Sequence, residues 1–149
     1  MWGRTKMNMP RILCLICSVA ISGCGLTEVA PVDIYPEDNC SHCRMAISDS
    51  RFAAEIITAD REVFKFDDIG CMEQYRSRIP GGQHFVFVRD YEDNRWLPLE
   101  KSTIVRTGIM TPMGSGKLAF GNPSKADAFL LEHPLRTTAG EEEENGRKK

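Results

Sequence analysis

The sequence predicts an α+β fold in which small sheets pack against helices on one side. Three observations support this class: short segments rich in β-forming residues occur in pairs, two segments carry helix-capping signals, and the two kinds alternate along the chain. The predicted order is ββα followed by ββ(β)α. The chain is therefore expected to form two small ββα(β)-type modules, although no residue-level repeat relates them.

The first module is predicted to begin with a β-hairpin and to end with a helix. Residues 53–58 and 62–66 are rich in β-forming side chains and are separated by a short turn. Asp67 or Asp68 can cap the helix that follows. Apolar residues then recur at helical spacing until the Pro-Gly-Gly sequence at 80–82 ends the helix.

The second module combines three predicted strands with a final helix. Residues 84–88, with the sequence His-Phe-Val-Phe-Val, form the strongest predicted strand in the chain. Shorter strands are predicted at 102–106 and 117–120. Asn122, followed by proline and serine, opens a helix that extends to about Glu132.

The N-terminus has the pattern of a bacterial lipoprotein signal peptide at residues 1–23. Basic residues precede an apolar run at 12–21, which as a helix would extend roughly 15 Å, too short to cross a bilayer. The run ends in Ile-Ser-Gly before Cys24, a pattern that resembles the lipobox, whose cysteine is acylated. We therefore predict export to the periplasm and a lipid anchor on Cys24. Gly25, in place of a retention-type aspartate, favours the outer membrane.

The rest of the chain is predicted to contain one folded domain. Residues 24–38 are expected to be an extended tether, 39–133 the domain, and 134–149 a disordered charged tail. The formal net charge of −2 gives no basic footprint, so no nucleic-acid partner is expected.

Cysteine usage indicates a free thiol outside the cytoplasm. The sequence contains six cysteines, of which two lie in the signal peptide and a third, Cys24, takes the lipid. Cys40, Cys43 and Cys71 remain, and an odd number cannot pair completely within one chain. A free thiol in an oxidising compartment requires a reason, either binding of a soft metal or burial as a small apolar side chain.

Residues 39–45, with the sequence Asn-Cys-Ser-His-Cys-Arg-Met, gather two thiols, an imidazole and a thioether. Thiolates and thioethers are soft ligands that select Cu(I) over harder ions. If the segment is extended, Cys43 and Met45 point to the same face, because side chains alternate along a strand. His42 is a weaker candidate for a third ligand.

Other interpretations of Cys40 and Cys43 remain open at this point. A thioredoxin-like redox pair needs a strand before the motif and a helix that starts at it, whereas a proline-containing tether precedes it here. A structural zinc site needs four ligands, and only Cys71, His84 and His133 remain, without paired spacing. An inert local disulfide is the third alternative.

Met113 lies in a glycine-rich loop predicted at 107–116, between a proline and a glycine, where no regular element can bury it. A methionine in a core normally belongs to a periodic apolar face, so a functional role is indicated for this one. Cys71 and Met72, by contrast, fall on the apolar stripe of the first helix and are predicted to be core. The paired aspartates before that helix are explained by capping rather than by acid–base catalysis.

These motifs together resemble those of the NosL family. The resemblance depends on Cys43-x-Met45, the hairpin, Phe66-Asp67-Asp68-Ile69-Gly70-Cys71, and Pro112-Met113-Gly114 through Ala119-Phe120, in this order. It extends from about Asn39 to Phe129, most of the predicted domain. The family's fold is similar to the ββαβ modules of organomercurial lyase, which implies a repeat of that kind here.

The resemblance implies a copper-binding carrier and no enzymatic activity. NosL proteins are lipoprotein copper chaperones encoded with nitrous oxide reductase, so the implied cargo is Cu(I) for the copper–sulfide centre of that enzyme. The implied ligands are Cys43, Met45 and Met113, with Cys40 as an auxiliary ligand. The implied partners are apo nitrous oxide reductase, an ABC-type maturation complex in the inner membrane, and the membrane that holds the lipid on Cys24.

Two enzymatic alternatives compete with the carrier. One is an extracytoplasmic thiol–disulfide oxidoreductase, which should form a reversible disulfide between Cys40 and Cys43. The other is a mercury–carbon lyase, suggested by the fold resemblance, which should place cysteines beside an acid.

Overall fold

The computed structural model describes residues 28–135. Within this range the elements are β1 Ala54–Thr58, β2 Val63–Phe66, α1 Ile69–Arg76, β3 His84–Arg89, β4 Trp96–Pro98, β5 Thr103–Arg106, β6 Lys117–Phe120 and α2 Pro123–Glu132. The predicted signal peptide, Cys24 and most of the charged tail lie outside the described residues. None of the helices in the described range combines the length and the apolar composition needed to cross a bilayer.

The predicted α+β class, with two small modules, is confirmed. The first module is an antiparallel sheet with the strand order β2-β1-β3-β4, and the second is an antiparallel pair formed by β5 and β6. Helix α1 contacts the first sheet and helix α2 contacts the second. The predicted hairpin and both predicted helices are therefore present, and each helix packs on a different sheet.

One face of the first sheet packs against α1, because alternate side chains of each strand point to the same side. Ile56, Phe66 and Val88 are fully buried on this face, together with Ile69 and Met72 of the helix. Burial of such a side chain contributes about 1.5–3 kcal/mol. This packing fixes the start of α1 relative to the end of β2.

The opposite face of the first sheet is covered by residues 32–38, which were predicted to belong to the tether. Glu55, fully buried in β1, accepts a hydrogen bond from the Val32 backbone N–H at 3.0 Å. The ammonium group of Lys65 in β2 donates to the Asp38 carboxylate at 2.6 Å. This part of the segment is therefore bound to the domain.

Helix α2 begins where its capping signal predicts. The Asn122 side chain accepts a hydrogen bond from the Ser124 backbone N–H at 2.9 Å, and Pro123 occupies the first turn. The helix packs on the second sheet in a separate small core. The residues buried in this core are Phe52, Leu118, Phe120 and Ala126.

Two features of the sheets differ from the expected order. Strand β3 pairs with β1 in the first sheet, whereas the predicted order placed it at the start of the second half. Strand β4 was not predicted, since its three residues, Trp96–Pro98, end in a proline and are too short to show a period-2 pattern. It pairs with β3 and completes the first sheet.

Candidate metal centre

Residues 39–46 form a tight turn at the edge of the first sheet. The Cys40 backbone N–H donates to the Met45 carbonyl at 2.8 Å, and the Arg44 N–H donates to the Cys40 carbonyl at 2.9 Å. Arg44 has a φ angle of 69°, in the left-handed region that few residues other than glycine adopt. The segment is not extended, so the condition under which side-chain alternation would place Cys43 and Met45 on one face is not met.

One backbone hydrogen bond fixes this turn against β2, because the Ser41 N–H donates to the Lys65 carbonyl at 2.7 Å. The chain then passes from β2 through Asp67 to Asp68. Asp68 caps α1 by accepting a hydrogen bond from the Gly70 N–H at 2.6 Å. The turn and the start of the helix therefore meet at one corner of the domain.

Three thiols and a carboxylate converge at this corner. The sulfur atoms of Cys40, Cys43 and Cys71 and a carboxylate oxygen of Asp67 all lie within 4.8 Å of one another. Cys40 is 0% exposed, and Cys71 and Asp67 are each 2% exposed, whereas Cys43 is only partly buried. These four residues are termed the thiol cluster. It is enclosed except at Cys43.

The interior of the thiol cluster disfavours negative charge. Burial raises the pKa of the Cys40 thiol, and the neighbouring Asp67 adds to this effect. Burial also raises the pKa of Cys71, with smaller contributions from Cys40 and Asp67. Both thiols are therefore protonated at neutral pH, and a metal ion that binds them must displace their protons.

Asp67 brings two oxygens with different environments to the cluster. One accepts a hydrogen bond from the Cys43 thiol at an S–O distance of 3.5 Å. The other is buried and has no hydrogen-bond partner among the residues that the structure describes. A buried acceptor without a partner lowers the free energy of unfolding by about 1–3 kcal/mol, so binding of a metal ion or a proton at this oxygen would be favourable.

Asp68 connects this corner to residues 107–116, here termed the methionine loop. Its second oxygen accepts hydrogen bonds from Thr111 Oγ1 at 2.5 Å and from the Met113 backbone N–H at 3.2 Å. Thr111 Oγ1 in turn accepts a hydrogen bond from the Gly116 N–H at 3.1 Å. Because Asp68 is fully buried, these bonds hold the loop backbone against the start of α1.

The four predicted ligands lie at two depths. Cys40 and Cys43 belong to the thiol cluster, whereas Met45 and Met113 are 56% and 45% exposed. His42 is partly exposed and lies outside the group of converging ligand atoms found in the described chain. The cysteines therefore form the buried side of this corner and the methionines lie on its accessible side. Their joint role as ligands stays a prediction.

Asp67 and Cys71 were not predicted as site residues. Cys71 is buried, as expected for a core residue, but its sulfur also belongs to the cluster, and the helix cap is Asp68 rather than Asp67. The one available signal was their i, i+4 spacing at the start of a helix, which is compatible with a shared face. The zinc alternative considered only cysteines and histidines as possible ligands. With Asp67 included, four potential ligands are present.

The geometry of the CxxC segment does not favour a thiol–disulfide oxidoreductase. The reactive cysteine of such a protein is partly exposed and has a lowered pKa, often at a helix N-terminus. Here Cys40 is fully buried, its pKa is raised, and a turn rather than a helix follows it. Cys40 and Cys43 are both free thiols.

Comparison with known proteins agrees with this fold and with these motifs. The sequence model of the NosL family matches residues 31–139, a range that contains the thiol cluster and both predicted methionine ligands. The fold is similar to the crystal structure of the copper chaperone NosL from Shewanella denitrificans. That match has a TM-score of 0.59 at 16% identity and covers 72% of this chain and 90% of that chain. Comparison with curated proteins gives no match.

Proposed function

This chain belongs to the NosL family, and from that premise we propose that it is a Cu(I) metallochaperone and not an enzyme. It binds Cu(I) outside the cytoplasm and supplies it for assembly of the copper–sulfide centre of nitrous oxide reductase. The copper ion is the cargo of the protein. The observation that carries the proposal is the convergence of three free thiols beside an anchored loop with an exposed methionine.

The chemistry of the donor set supports Cu(I) as the cargo. Thiolate and thioether sulfurs are soft ligands and prefer soft monovalent copper to the harder divalent ions. The proposed ligands are Cys43, Met45 and Met113, with Cys40 in an auxiliary role. Cys43 is central among them, because it belongs to the thiol cluster and is also reachable from the surface.

The proposed location follows from the N-terminal sequence pattern. Cys24 carries the lipid after removal of residues 1–23 and anchors the protein to a bacterial membrane, the outer membrane, on the periplasmic side. From there the domain meets its partners, apo nitrous oxide reductase and an ABC-type maturation complex of the inner membrane.

A carrier must bind its ion tightly and still release it on contact with a partner. A Cu(I) ion held by two or three sulfur ligands leaves a coordination position free for an incoming ligand. That ligand can attach before the protein's own sulfurs leave, so transfer does not pass through a free ion. Met45 and Met113 are exposed and their backbones are hydrogen-bonded to Cys40 and Asp68, which supports a role for their sulfurs in such an exchange.

Deletion of the gene in its host tests this function. In copper-limited medium the deletion strain should produce reductase that lacks its copper–sulfide centre, while the separate electron-transfer copper site still fills. The wild-type gene and the control Met110→Leu should restore the centre, and Cys43→Ser should not. A deletion strain with fully active reductase would reject the assignment.

One observation favours a second candidate, the mercury–carbon lyase. That activity requires cysteines beside an acid, and the thiol cluster contains both. An organomercury cation would exchange its carbon–mercury bond for two mercury–sulfur bonds. The carbon would take the proton of one thiol through Asp67 and leave as a hydrocarbon, while the second thiol proton would pass to water.

Gas chromatography of the headspace over the protein and an organomercurial measures this hydrocarbon directly, with Asp67→Asn as the comparison. Release that depends on Asp67 would establish the lyase. If the protein binds Cu(I) but releases no hydrocarbon, the lyase is rejected and only the carrier function remains.

A further inference from the structure

We propose that the chain holds Cu(I) in two positions that share the Cys43 sulfur. The inner position lies among Cys40, Cys43 and Cys71, and the outer position lies at Cys43 and the exposed sulfurs of Met45 and Met113. Cys71 thereby becomes a copper ligand, a role that its place on the apolar face of α1 does not suggest. The inference rests on the proposed function, since it takes Cu(I) as the cargo.

The spacing of the sulfur atoms suits one ion in the inner position. A metal–thiolate bond is about 2.3 Å long, so two sulfurs on one ion lie at most ~4.6 Å apart. The cluster atoms lie within 4.8 Å of one another without any ion, so the site needs little movement to close. The hydrogen bond from Cys43 to Asp67 already turns that sulfur towards the cluster.

Burial separates the inner position from any partner. Cys40 and Cys71 have almost no exposed surface and lie in the core that also contains Phe66 and Ile69. A protein or a bulky chelator therefore cannot touch an ion that rests between them. Such an ion is protected, and it can leave only by way of Cys43.

The outer position has the opposite property. Met45 and Met113 are exposed, and their backbones are held in place by hydrogen bonds to Cys40 and Asp68 respectively. Thioethers are neutral and bind Cu(I) more weakly than thiolates do, so the ion rests at the inner position. The outer position is occupied during transfer.

Movement between the positions needs no change of oxidation state. The bond between copper and Cys43 is kept while the bonds to Cys40 and Cys71 break and bonds to methionine sulfur form. The two released thiolates take up protons from water. The incoming ligand of the partner then displaces Cys43.

This arrangement predicts opposite effects for substitutions at the two positions. Cys71→Ser should weaken equilibrium Cu(I) binding at least about 10-fold, because it removes an inner ligand. It should not slow transfer to a bulky acceptor. Met113→Leu should weaken equilibrium binding less than Cys71→Ser does and should slow transfer about 10-fold, equivalent to ~1.4 kcal/mol in the barrier.

The experiment uses the full chain in detergent, with Cys14→Ser, Cys17→Ser and Cys24→Ser, so that only the cluster thiols remain. Equilibrium affinity is measured by competition with a chromophoric Cu(I) chelator under anaerobic conditions. Transfer is measured by stopped flow to a chelator too bulky to enter the core. Met110→Leu, in the same loop as Met113 but 85% exposed, is the matched control and should match the parent in both assays.

Parent-like affinity in Cys71→Ser would overturn the two-position proposal, and so would faster or unchanged transfer in Met113→Leu. Cys40→Ser should behave like Cys71→Ser and decides the matter if the latter does not fold. Absence of Cu(I) binding by the parent chain would instead reject the proposed function. Binding that needs Cys43 but neither inner thiol would leave the proposed function intact and reject only the inner position.

Discussion

The thiol cluster and the methionine loop share one corner of the domain but have opposite physical properties. The inner cysteines are enclosed and their pKa values are raised, whereas Met113 is nearly half exposed on a backbone that Asp68 holds. Enclosed thiols offer strong ligands without access, and exposed thioethers offer access with weaker ligands. Under the two-position proposal, retention and delivery of the ion depend on different residues, joined at Cys43.

Substitution of the shared residue should have the largest effect. Cys43→Ser removes a ligand from both regions at once, so Cu(I) affinity should fall at least about 100-fold, or ~3 kcal/mol. Competition with a chromophoric chelator measures the change, and Met110→Leu is the control. Affinity within about 3-fold of the wild-type value would show that copper binds elsewhere on the chain.

Loss of the link between the two regions should have the next largest effect. Asp68 accepts hydrogen bonds at both oxygens, from the Gly70 N–H on one side and from Thr111 and Met113 on the other. Asp68→Asn can satisfy only one side, because its amide nitrogen is a donor. The free energy of unfolding, measured with urea on the copper-free protein, should fall by about 2–3 kcal/mol.

Thr111 offers a matched pair for the same link. Thr111→Val removes the hydroxyl that bonds Asp68 and should lower stability by about 1–2 kcal/mol, whereas Thr111→Ser keeps the hydroxyl and should cost less. Equal losses in the two variants would mean that the methyl group, and not the hydrogen bond, stabilises the loop.

The methionine loop and the helix starts were predictable because local signals determine them. Asn122 and Asp68 are caps, and Met113 lies between a proline and a glycine, so short segments of sequence contain the information. The thiol cluster was only half predictable. It joins Cys40 to Cys71 through the hydrogen bond from Ser41 to Lys65, a pairing of distant segments that no local pattern records.

The left-handed conformation of Arg44 was equally unpredictable, since residues other than glycine rarely adopt it. The sequence therefore did not indicate the turn at residues 39–46, and the ligand roles of Cys43 and Met45 stay predictions.

A substitution on the opposite face of the first sheet should change the pH dependence of stability and should not affect copper binding. Burial raises the pKa of Glu55 to about 7 from an ordinary value of 4.5. The folded chain thus binds this proton more tightly than the unfolded chain. The contribution of protonated Glu55 to the free energy of unfolding is therefore fully present below pH 4.5. It is lost as the pH rises to about 7, which lowers the free energy of unfolding by up to ~3 kcal/mol.

Glu55→Gln should remove this pH-dependent contribution. The free energies of unfolding measured at pH 5 and pH 8 should therefore differ less in the variant than in the wild type. Glu62→Gln, at an exposed position in the same hairpin, is the control and should keep the wild-type difference. A wild-type pH dependence in Glu55→Gln would assign the effect to other groups.

The smallest effect is expected for Met110, which shares the methionine loop with Met113 but is 85% exposed. Met110→Leu should change neither copper affinity nor transfer, and the free energy of unfolding should shift by less than about 0.5 kcal/mol. A transfer defect as large as that of Met113→Leu would mean that sulfur anywhere on the loop suffices.

X-ray absorption at the copper edge of the Cu(I)-loaded chain tests the central claim most directly, since it identifies the atoms bound to the ion. We expect a shell of sulfur atoms only, which loses sulfur in Cys71→Ser and also in Cys43→Ser. A shell that contains oxygen or nitrogen, or a chain that excludes copper and instead binds zinc through three sulfurs and the Asp67 carboxylate, would contradict it.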